Sequence, residues 1–324
     1  MLEARRVYAG PAIGPGEHEA SSTDGTRVAE MPDLVVAGAA SRDLAGGDPR
    51  GWRLGGAATY CSLAAARLGL RVGCLLGVDD AASSAEELDL LSAAGVRLRR
   101  VALDRGPVFE NIDTAGRRRQ RWLSESDPLP VASLPAEWRG AGGWLLVPVA
   151  GELPGDWAAV AAAGARVGVG WQGLLRHFGA AGWVERAGPA ESPLLGRAGL
   201  VCASVDDLSP DVGLPELRRL VGAATLVLTA GSGGGLAFQG SRLVRYPALA
   251  ADAVADPTGA GDVFLAALMA AWLMTGELAT PRALRFAAAA GSLAVEGVGL
   301  AGVPTRAAVA SRLGGDTSRD RTRA

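Results

Sequence analysis

The sequence predicts an α/β protein: a doubly wound, mostly parallel sheet flanked by helices and carrying a small β-sheet lid. Three observations lead there. Short apolar runs that end in glycine alternate with Ala- and Leu-rich stretches at the spacing of βαβ units. One interval, residues 97–124, breaks that rhythm with alternating, half-polar runs. Finally, a glycine-rich turn leads directly into the longest uninterrupted apolar run, Val263 to Met274.

In chain order, residues 1–31 have the polar, Gly- and Pro-bearing character of a disordered extension, so the ordered domain is expected over residues 32–314. "DLVVAGAASRDL" is an apolar run closing on Gly and Ser, as a buried strand does. "GGAATYCSLAAARLG" opens on two glycines and stops at Gly69, the pattern of a helix with a C-terminal glycine. "RVGCLLGV" is a second strand. Ser84 followed by Glu87 predicts a capping box for the helix "AEELDLLSAAG", which Gly95 would end. "VRLRRVAL", "PVFENIDTAG" and "RRRQRWLSES" then read as a small antiparallel sheet with one wet face. This is the lid, mainly residues 97–124 with part of 44–54. "WLLVPV", "ARVGVG", "GLVCAS" and "TLVLTA" resume the core strands, with helical stretches between them, and "GLAFQGSRLVRYP" reads as a hairpin. The end, residues 315–324, reads as a disordered tail.

Composition narrows the chemistry. Hydrophobic residues make up 49% and charged residues 20% of the chain, with a net charge of −2, the profile of a soluble globular protein without a nucleic-acid partner. No apolar signal region opens the chain, and the run Val263–Met274 falls short of the roughly 20 residues that cross a bilayer. The expectation is a cytoplasmic protein with no membrane contact. Cys61, Cys74 and Cys202 form no CxxC pair and read as small buried hydrophobes. All 32 basic residues are arginine. Without lysine there is no Walker A loop, no protein-kinase strand lysine and no Schiff base. His18 lies in the leader and His177 is the other histidine, so with no paired Cys the composition argues against a zinc site, and His177 reads as a surface or packed residue. A metal would be a hard cation held by carboxylates, phosphates and water.

Carboxylates and backbone groups are left to do the work, which directs attention to "DPTGAGDVFLAALMAAWLM", residues 256–274. The first turn of a helix leaves amides unpaired and carries partial positive charge. Gly259 and Gly261 let the backbone aim those amides into one small volume, which suits a phosphate. Asp262 then has two readings. It is a helix-start carboxylate worth about 1 kcal/mol as a cap, or it takes the proton from a hydroxyl that attacks a phosphoryl group held in the turn. Phosphoryl transfer is mostly positioning and charge stabilisation, so it proceeds without lysine or histidine.

With those residues in view, the sequence resembles the ribokinase-like (PfkB) carbohydrate kinases over nearly all of its ordered length. "DPTGAGD" looks like their signature, and the resemblance implies Asp262 as catalytic base and Gly259, Ala260 and Gly261 as an anion hole. "VVAGAASRD" is similar to their first strand, implying that Asp43 binds substrate hydroxyls; "LGGAATYCSLAAARLG" matches their paired-glycine motif, placing Gly55 and Gly56 against the sugar. "VLTAGSGGGLAF" looks like the nucleotide strand and loop, implying Thr229, Gly231 and Gly234 near ATP phosphates, with Thr258 beside them. The implied cofactors are ATP and Mg2+, with a monovalent cation at Asp256 and Thr258 as in some members. The sequence also departs from the pattern. Tyr60 stands where the family usually has Asn, and its Asn-x-x-Glu appears as Ser204-Val205-Asp206-Asp207, leaving Asp207 with Asp256 as the metal candidates. "WQGLLR" and "FEN" resemble a branch that includes bacterial myo-inositol kinases, although Gly170 replaces its usual Asp. By that likeness Gln172, Arg176, Glu110 and Asn111 face the substrate or belong to the lid. From the residues alone, Arg176 reads equally well as a solvated helix-start residue, and Glu110 and Asn111 as lid turn chemistry. Arg117, Arg118, Arg119 and Arg121 read most simply as the solvated face of a lid strand.

The expected activity is ATP-dependent phosphorylation of a hydroxyl on a small polyol, either a sugar or a cyclitol such as myo-inositol. The alternatives are a nucleoside kinase of the same family and a non-catalytic sensor that keeps the fold and binds sugar or nucleotide. A dinucleotide oxidoreductase is disfavoured, because "AGAASRD" follows the first strand in place of G-x-G-x-x-G. A homodimer through the exposed lid stays open.

Overall fold

The computed structural model describes residues 31–114 and 117–321, and the backbone alone for 113–114, 117–118 and 316–321. The expected extension, residues 1–31, lies outside the described residues apart from Met31. In chain order the first elements are β1 (Leu34–Ala39), β2 (Ser41–Leu44), β3 (Trp52–Gly55), α1 (Ala57–Arg67), β4 (Val72–Val78), α2 (Asp80–Ser83), α3 (Glu87–Ala93) and β5 (Arg97–Ala102). β6 (Val108–Thr114), β7 (Arg117–Ser124), β8 (Gly143–Leu146), β9 (Arg166–Gly170), β10 (Arg176–Phe178), β11 (Val184–Arg186) and α4 (Pro193–Arg197) follow. The chain continues with β12 (Leu200–Ser204), α5 (Leu214–Val221), β13 (Thr225–Thr229), β14 (Gly235–Gln239) and β15 (Arg242–Tyr246). It ends in three helices, α6 (Ala260–Thr275), α7 (Pro281–Ala294) and α8 (Arg306–Arg321).

Nine strands form the central sheet in the order β15-β14-β13-β12-β9-β8-β1-β4-β5. Every pairing from β13 to β5 is parallel, and the hairpin β14–β15 adds an antiparallel edge. β1 is buried along its whole length, and its side chains divide by alternation. Leu34 and Val36 join the apolar layer beneath α1, α6 and α7, whereas Val35 and Ala37 join the layer with Trp144, Trp157 and Leu217. That two-sided burial explains the nearly unbroken apolar strands of the sequence. β1 lies between β8 and β4, so the chain winds away from it in both directions. A crevice opens at the carboxyl ends of strands at such a switch point.

The lid is a four-stranded sheet, β3-β2-β6-β7. The chain enters it directly from β1, because only Ala40 separates β1 from β2. Two guanidinium forks fasten this sheet to the core. Arg50 grips Glu87 at 2.8 and 2.6 Å, and Arg42 reaches Asp79 at 2.9 and 2.8 Å.

Four expectations need correction. "VRLRRVAL" belongs to the central sheet rather than the lid, since β5 pairs parallel with β4; its alternation is that of a half-covered edge strand. Ser84 and Glu87 make no capping box. Asp79 caps α2 by accepting from the Ala82 amide at 2.8 Å, while Glu87 is spent on Arg50 and on the Leu54 amide at 3.1 Å. The connections on either side of β9 hold little more than short 3-10 turns, a two-stranded hairpin β10–β11 and the five-residue α4, because Pro and Gly interrupt them. The tail is helical to Arg321: α8 propagates from turns anchored by buried Val309, and propagation costs far less than nucleation.

Candidate active site

The carboxyl ends of β9, β12 and β13, the start of β2 just beyond β1, the N-terminus of α6 and the inner lid face line a cleft of about 1710 Å³. Asp43, Gly56, Asn111, Gln172, Arg176, Asp207, Thr229, Gly231, Gly234, Thr258, Gly259, Ala260, Gly261 and Asp262 all lie on its wall. They come from segments more than 200 residues apart. Gly55, Glu110 and Asp256 do not line it.

At the centre is the start of α6. The Ala260 amide reaches back to the Pro257 carbonyl at 3.4 Å, and the Val263 amide donates to the Gly259 carbonyl at 2.9 Å. The amides of Gly259, Gly261 and Asp262 have no partner among the described residues. A side chain at Gly261 would point into open space, the hollow those amides surround. Gly259 caps the helix with φ of 77°, a left-handed conformation that costs any residue with a Cβ. A Cβ there would also overlap the Tyr60 ring, falling 2.6 Å from Cγ and closer still to Cδ1 and Cε1. Tyr60, buried on α1, is therefore the packing surface that shapes the turn, which accounts for a large aromatic ring where the related pattern has Asn. Asp256 closes the turn from behind. Its oxygens accept from the Thr258 amide at 2.9 Å and the Gly299 amide at 3.2 Å, so it braces the loop, and it does not line the cleft.

Asp262 sits in the first turn of α6, enclosed by protein except on its cleft side. Burial, reinforced by the charges of Asp207 and Asp43, pushes its pKa up to about 7, and the Arg176 guanidinium pulls in the opposite direction. Helix capping would keep the carboxylate acidic. A pKa near neutrality is instead suited to a group that takes a proton during turnover.

On the lid side, Asp43 accepts from Ser41 Oγ at 2.9 Å. The close approach of β2 to β3 explains Gly55, where a Cβ would fall 2.9 Å from both Asp43 Cγ and Ser41 Oγ. Gly55 thus makes room for Asp43, and it does not itself line the cleft. Strand alternation separates the neighbours of β6. Phe109 and Asn111 face the cleft, Asn111 accepting from Gln120 Nε2 at 3.0 Å, while Glu110 pairs with Arg121 at 3.4 Å and stays outside it. Gln172 Nε2 donates to Asp207 Oδ1 at 3.2 Å, which joins the acceptor end of the cleft to its acidic end.

Arg176 is largely enclosed. Its guanidinium lies 5.5 Å from the Phe109 ring centroid and forms no hydrogen bond or ion pair with any described residue. Burial draws its pKa down, and Asp207, Asp262, Asp43 and Glu152 pull it back. This cation is held in the middle of the carboxylates without being neutralised by a direct contact. His177 beside it is exposed, and the three cysteines are free and buried.

Glu152 escaped the sequence reading. Fully buried, it accepts from the amides of Ala39 at 3.0 Å, Val149 at 3.0 Å and Ala150 at 2.8 Å. Burial raises its pKa, and those three amides oppose the rise. It ties the end of β1 to the loop after β8 and so fixes where the chain turns toward Asp43. Its one signal in the sequence is an acid flanked by apolar, Gly and Pro residues in "VPVAGELPG".

For a divalent cation the described residues offer no group of three or more ligating side chains. Asp207 on the cleft wall, with Ser204 beside it, fits an ion carried chiefly by phosphates and water. At the place expected for a monovalent ion, the Asp256 carboxylate accepts from the Thr258 and Gly299 amides.

Residues 211–306, which include the 256–262 turn, match the family described as pfkB family carbohydrate kinase. Solved structures share the fold over most of the chain. One, a pyrophosphate-dependent kinase in the ribokinase family complexed with a pyrophosphate analogue and myo-inositol, is 19% identical, with a TM-score of 0.68 over 86% of this chain and 99% of that one. Arabidopsis thaliana ribokinase, complexed with ribose and ATP, is 20% identical, with a TM-score of 0.63 over 87% and 99% of the two chains. The Methanocaldococcus jannaschii nucleoside kinase is 16% identical, with a TM-score of 0.63 over 87% and 98%. No curated protein gives a significant match.

Proposed function

Taking the chain as a ribokinase-like kinase that carries the PfkB segment, we propose that it transfers the terminal phosphoryl group of ATP to a hydroxyl of a small neutral polyol, a sugar or a cyclitol such as myo-inositol. The observation that carries this reading is Asp262, with its pKa raised to about 7, set beside unpartnered α6 amides and in the same cleft as Asp43.

Asp43, Asn111, Gln120 and Gln172 offer the acceptor end a set of hydrogen-bonding groups over the apolar Phe109, the balance a polyol needs. Arg176 is an enclosed cation there that makes no direct hydrogen bond or ion pair with a described residue, which leaves it free to meet the charge of the transferring phosphoryl group. At the donor end, Ala248–Ala251 and Val254 face Ala288, Gly291, Ser292 and Val295 across a slot walled by small residues, and Val254 is 70% exposed. A flat purine would cover that wall. A base-free donor such as pyrophosphate would leave it bare, which favours ATP.

In the reaction, Asp262 accepts the proton of the attacking hydroxyl as the acceptor oxygen forms its bond to the terminal phosphorus. The bond from that phosphorus to the bridging oxygen breaks, and ADP leaves. The Gly259, Gly261 and Asp262 amides donate to the phosphoryl oxygens, and Arg176 offsets their charge from the lid side. Asp207 is the side chain that would meet magnesium on the donor's phosphates, where the ion neutralises charge.

The test is ADP release by the purified full-length protein with magnesium, ATP and a panel of sugars, cyclitols and nucleosides, with a parallel arm using pyrophosphate as donor. Turnover with a sugar or cyclitol supports the proposal. Preference for a nucleoside acceptor, turnover with pyrophosphate alone, or ligand binding without ADP release from any acceptor would each replace it.

A further inference from the structure

The donor slot has one wall with no secondary structure of its own. Residues 247–259, between β15 and α6, form neither strand nor helix, and this stretch supplies Ala250, Ala251 and Val254. The opposite wall is the C-terminal half of α7, with Ala288 and Ser292, and the capping residue Val295 that follows it. Two backbone bonds to the Val295 carbonyl, from Ala255 at 2.8 Å and Asp256 at 3.2 Å, join the walls at one end. Along the rest, the bridge is a side chain from a third element.

Arg312, on α8, places its guanidinium behind the slot. Nη1 donates to the Ala250 carbonyl at 2.7 Å and lies 3.4 Å from Ser292 Oγ. Nη2 donates to Glu296 Oε1 at 2.7 Å and lies 3.4 Å from Asp252 Oδ2. The same Glu296 oxygen accepts from the Asp252 amide at 2.7 Å, which closes a ring of contacts across both walls. The Arg312 side chain is only 15% exposed, so these charge-assisted bonds are partly shielded from water. Arg312 lines no part of the cleft, and it touches the slot only through its walls.

We propose that Arg312 is a positioning residue for the phosphate donor: by holding residues 250–252 against residues 292–296 it sets the width of the purine slot, and α8 is thereby part of the donor site. This inference rests on the reading of that slot as the place for the base of ATP. Five donor hydrogens in a rigid fork let one arginine serve both walls, whereas a lysine ammonium supplies a single point of charge.

The test uses the full-length protein with Arg312→Met and Arg312→Lys, reading the dissociation constant for ATP, the KM values for ATP and acceptor, kcat, and the melting temperature without nucleotide. Loss of about one charge-assisted bond's worth of wall alignment is about a ten-fold weakening for ATP in Arg312→Met. Arg312→Lys should recover part of it, while kcat and the acceptor KM stay within about two-fold. A purely structural arginine would lower the melting temperature and leave the KM for ATP where it was, and that result overturns the proposal. If Arg312→Met does not fold, Glu296→Gln, which weakens the same ring at its acceptor, gives the same reading: unchanged ATP affinity overturns the proposal and weaker affinity supports it. Wild-type protein that binds no ATP overturns both this inference and the donor reading. Wild-type protein that binds ATP, with variants that bind it equally well, overturns this inference alone.

Discussion

Replacing Asp262 by Asn should make the protein more stable and far less active, and the stability gain should depend on pH in a way that only an uphill carboxylate produces. In the folded protein the Asp262 pKa is raised from 3.8 to about 7, chiefly by burial. An acid whose folded pKa lies above its unfolded one is penalised on folding once it must ionise. The penalty begins as pH rises past 3.8 and is complete above about 7. A rise of about three units corresponds to about 4 kcal/mol at 1.36 kcal/mol per unit. The carboxylate keeps one side open to the cleft, and solvent there reduces this to about 2 kcal/mol. For a domain of this size that is a rise in Tm of roughly 4–8 °C. Thermal melts of wild type and Asp262→Asn at pH 8.5 should show that gain, and at pH 5 it should be clearly smaller. Turnover should fall about 10²- to 10⁴-fold, with ATP binding retained. Equal melting temperatures at pH 8.5, or a gain that does not depend on pH, would mean that Asp262 is an ordinary acidic cap, and the case for it as the base would go with it.

Two other substitutions probe the surroundings of Asp262. The Arg176 guanidinium lowers the Asp262 pKa against the effect of burial, so Arg176→Met should move the acidic limb of the kcat/KM profile, centred near pH 7, upward by about one unit. A limb that stays in place, measured from pH 5.5 to 9, would separate Arg176 from the base. Gly259→Ala combines a left-handed backbone with overlap onto the Tyr60 ring and should cost about 2–4 kcal/mol in urea unfolding. Adding Tyr60→Ala should return the part due to overlap and leave the part due to φ.

Much of this was legible because it is local. The strands β1, β4, β8, β9, β12 and β13, the helix α1 ending at Gly69 and the hairpin β14–β15 each follow from a short pattern of apolar, glycine and turn residues. The turn 256–262 could likewise be read as an anion cradle, since Gly259 and Gly261, one residue apart at the start of an apolar helix, let the backbone aim its free amides into one volume. Glu110 and Asp256 show the limit. Both sit within a residue or two of cleft-lining positions, yet one faces away by strand alternation and the other turns back onto its own loop. Which face of β6 meets the cleft is set by the partner strands, about which the local sequence says nothing.

The sequence by itself determined the alternation of strands and helices, the absence of lysine and the carboxylate at the mouth of α6, because these depend on residue identity and spacing along a few turns of chain. The tertiary structure decided that β5 joins the central sheet, that Glu152 holds the end of β1 to the loop after β8, and that Arg312 braces the donor slot from α8. The β4–β5 pairing, the Arg312–Ala250 bond and the Glu152–Ala39 bond link residues separated by 24, 62 and 113 positions. Burial and charge from such distant neighbours also set the Asp262 pKa, so a property that makes it fit for proton transfer belongs to the folded protein and to no stretch of its sequence.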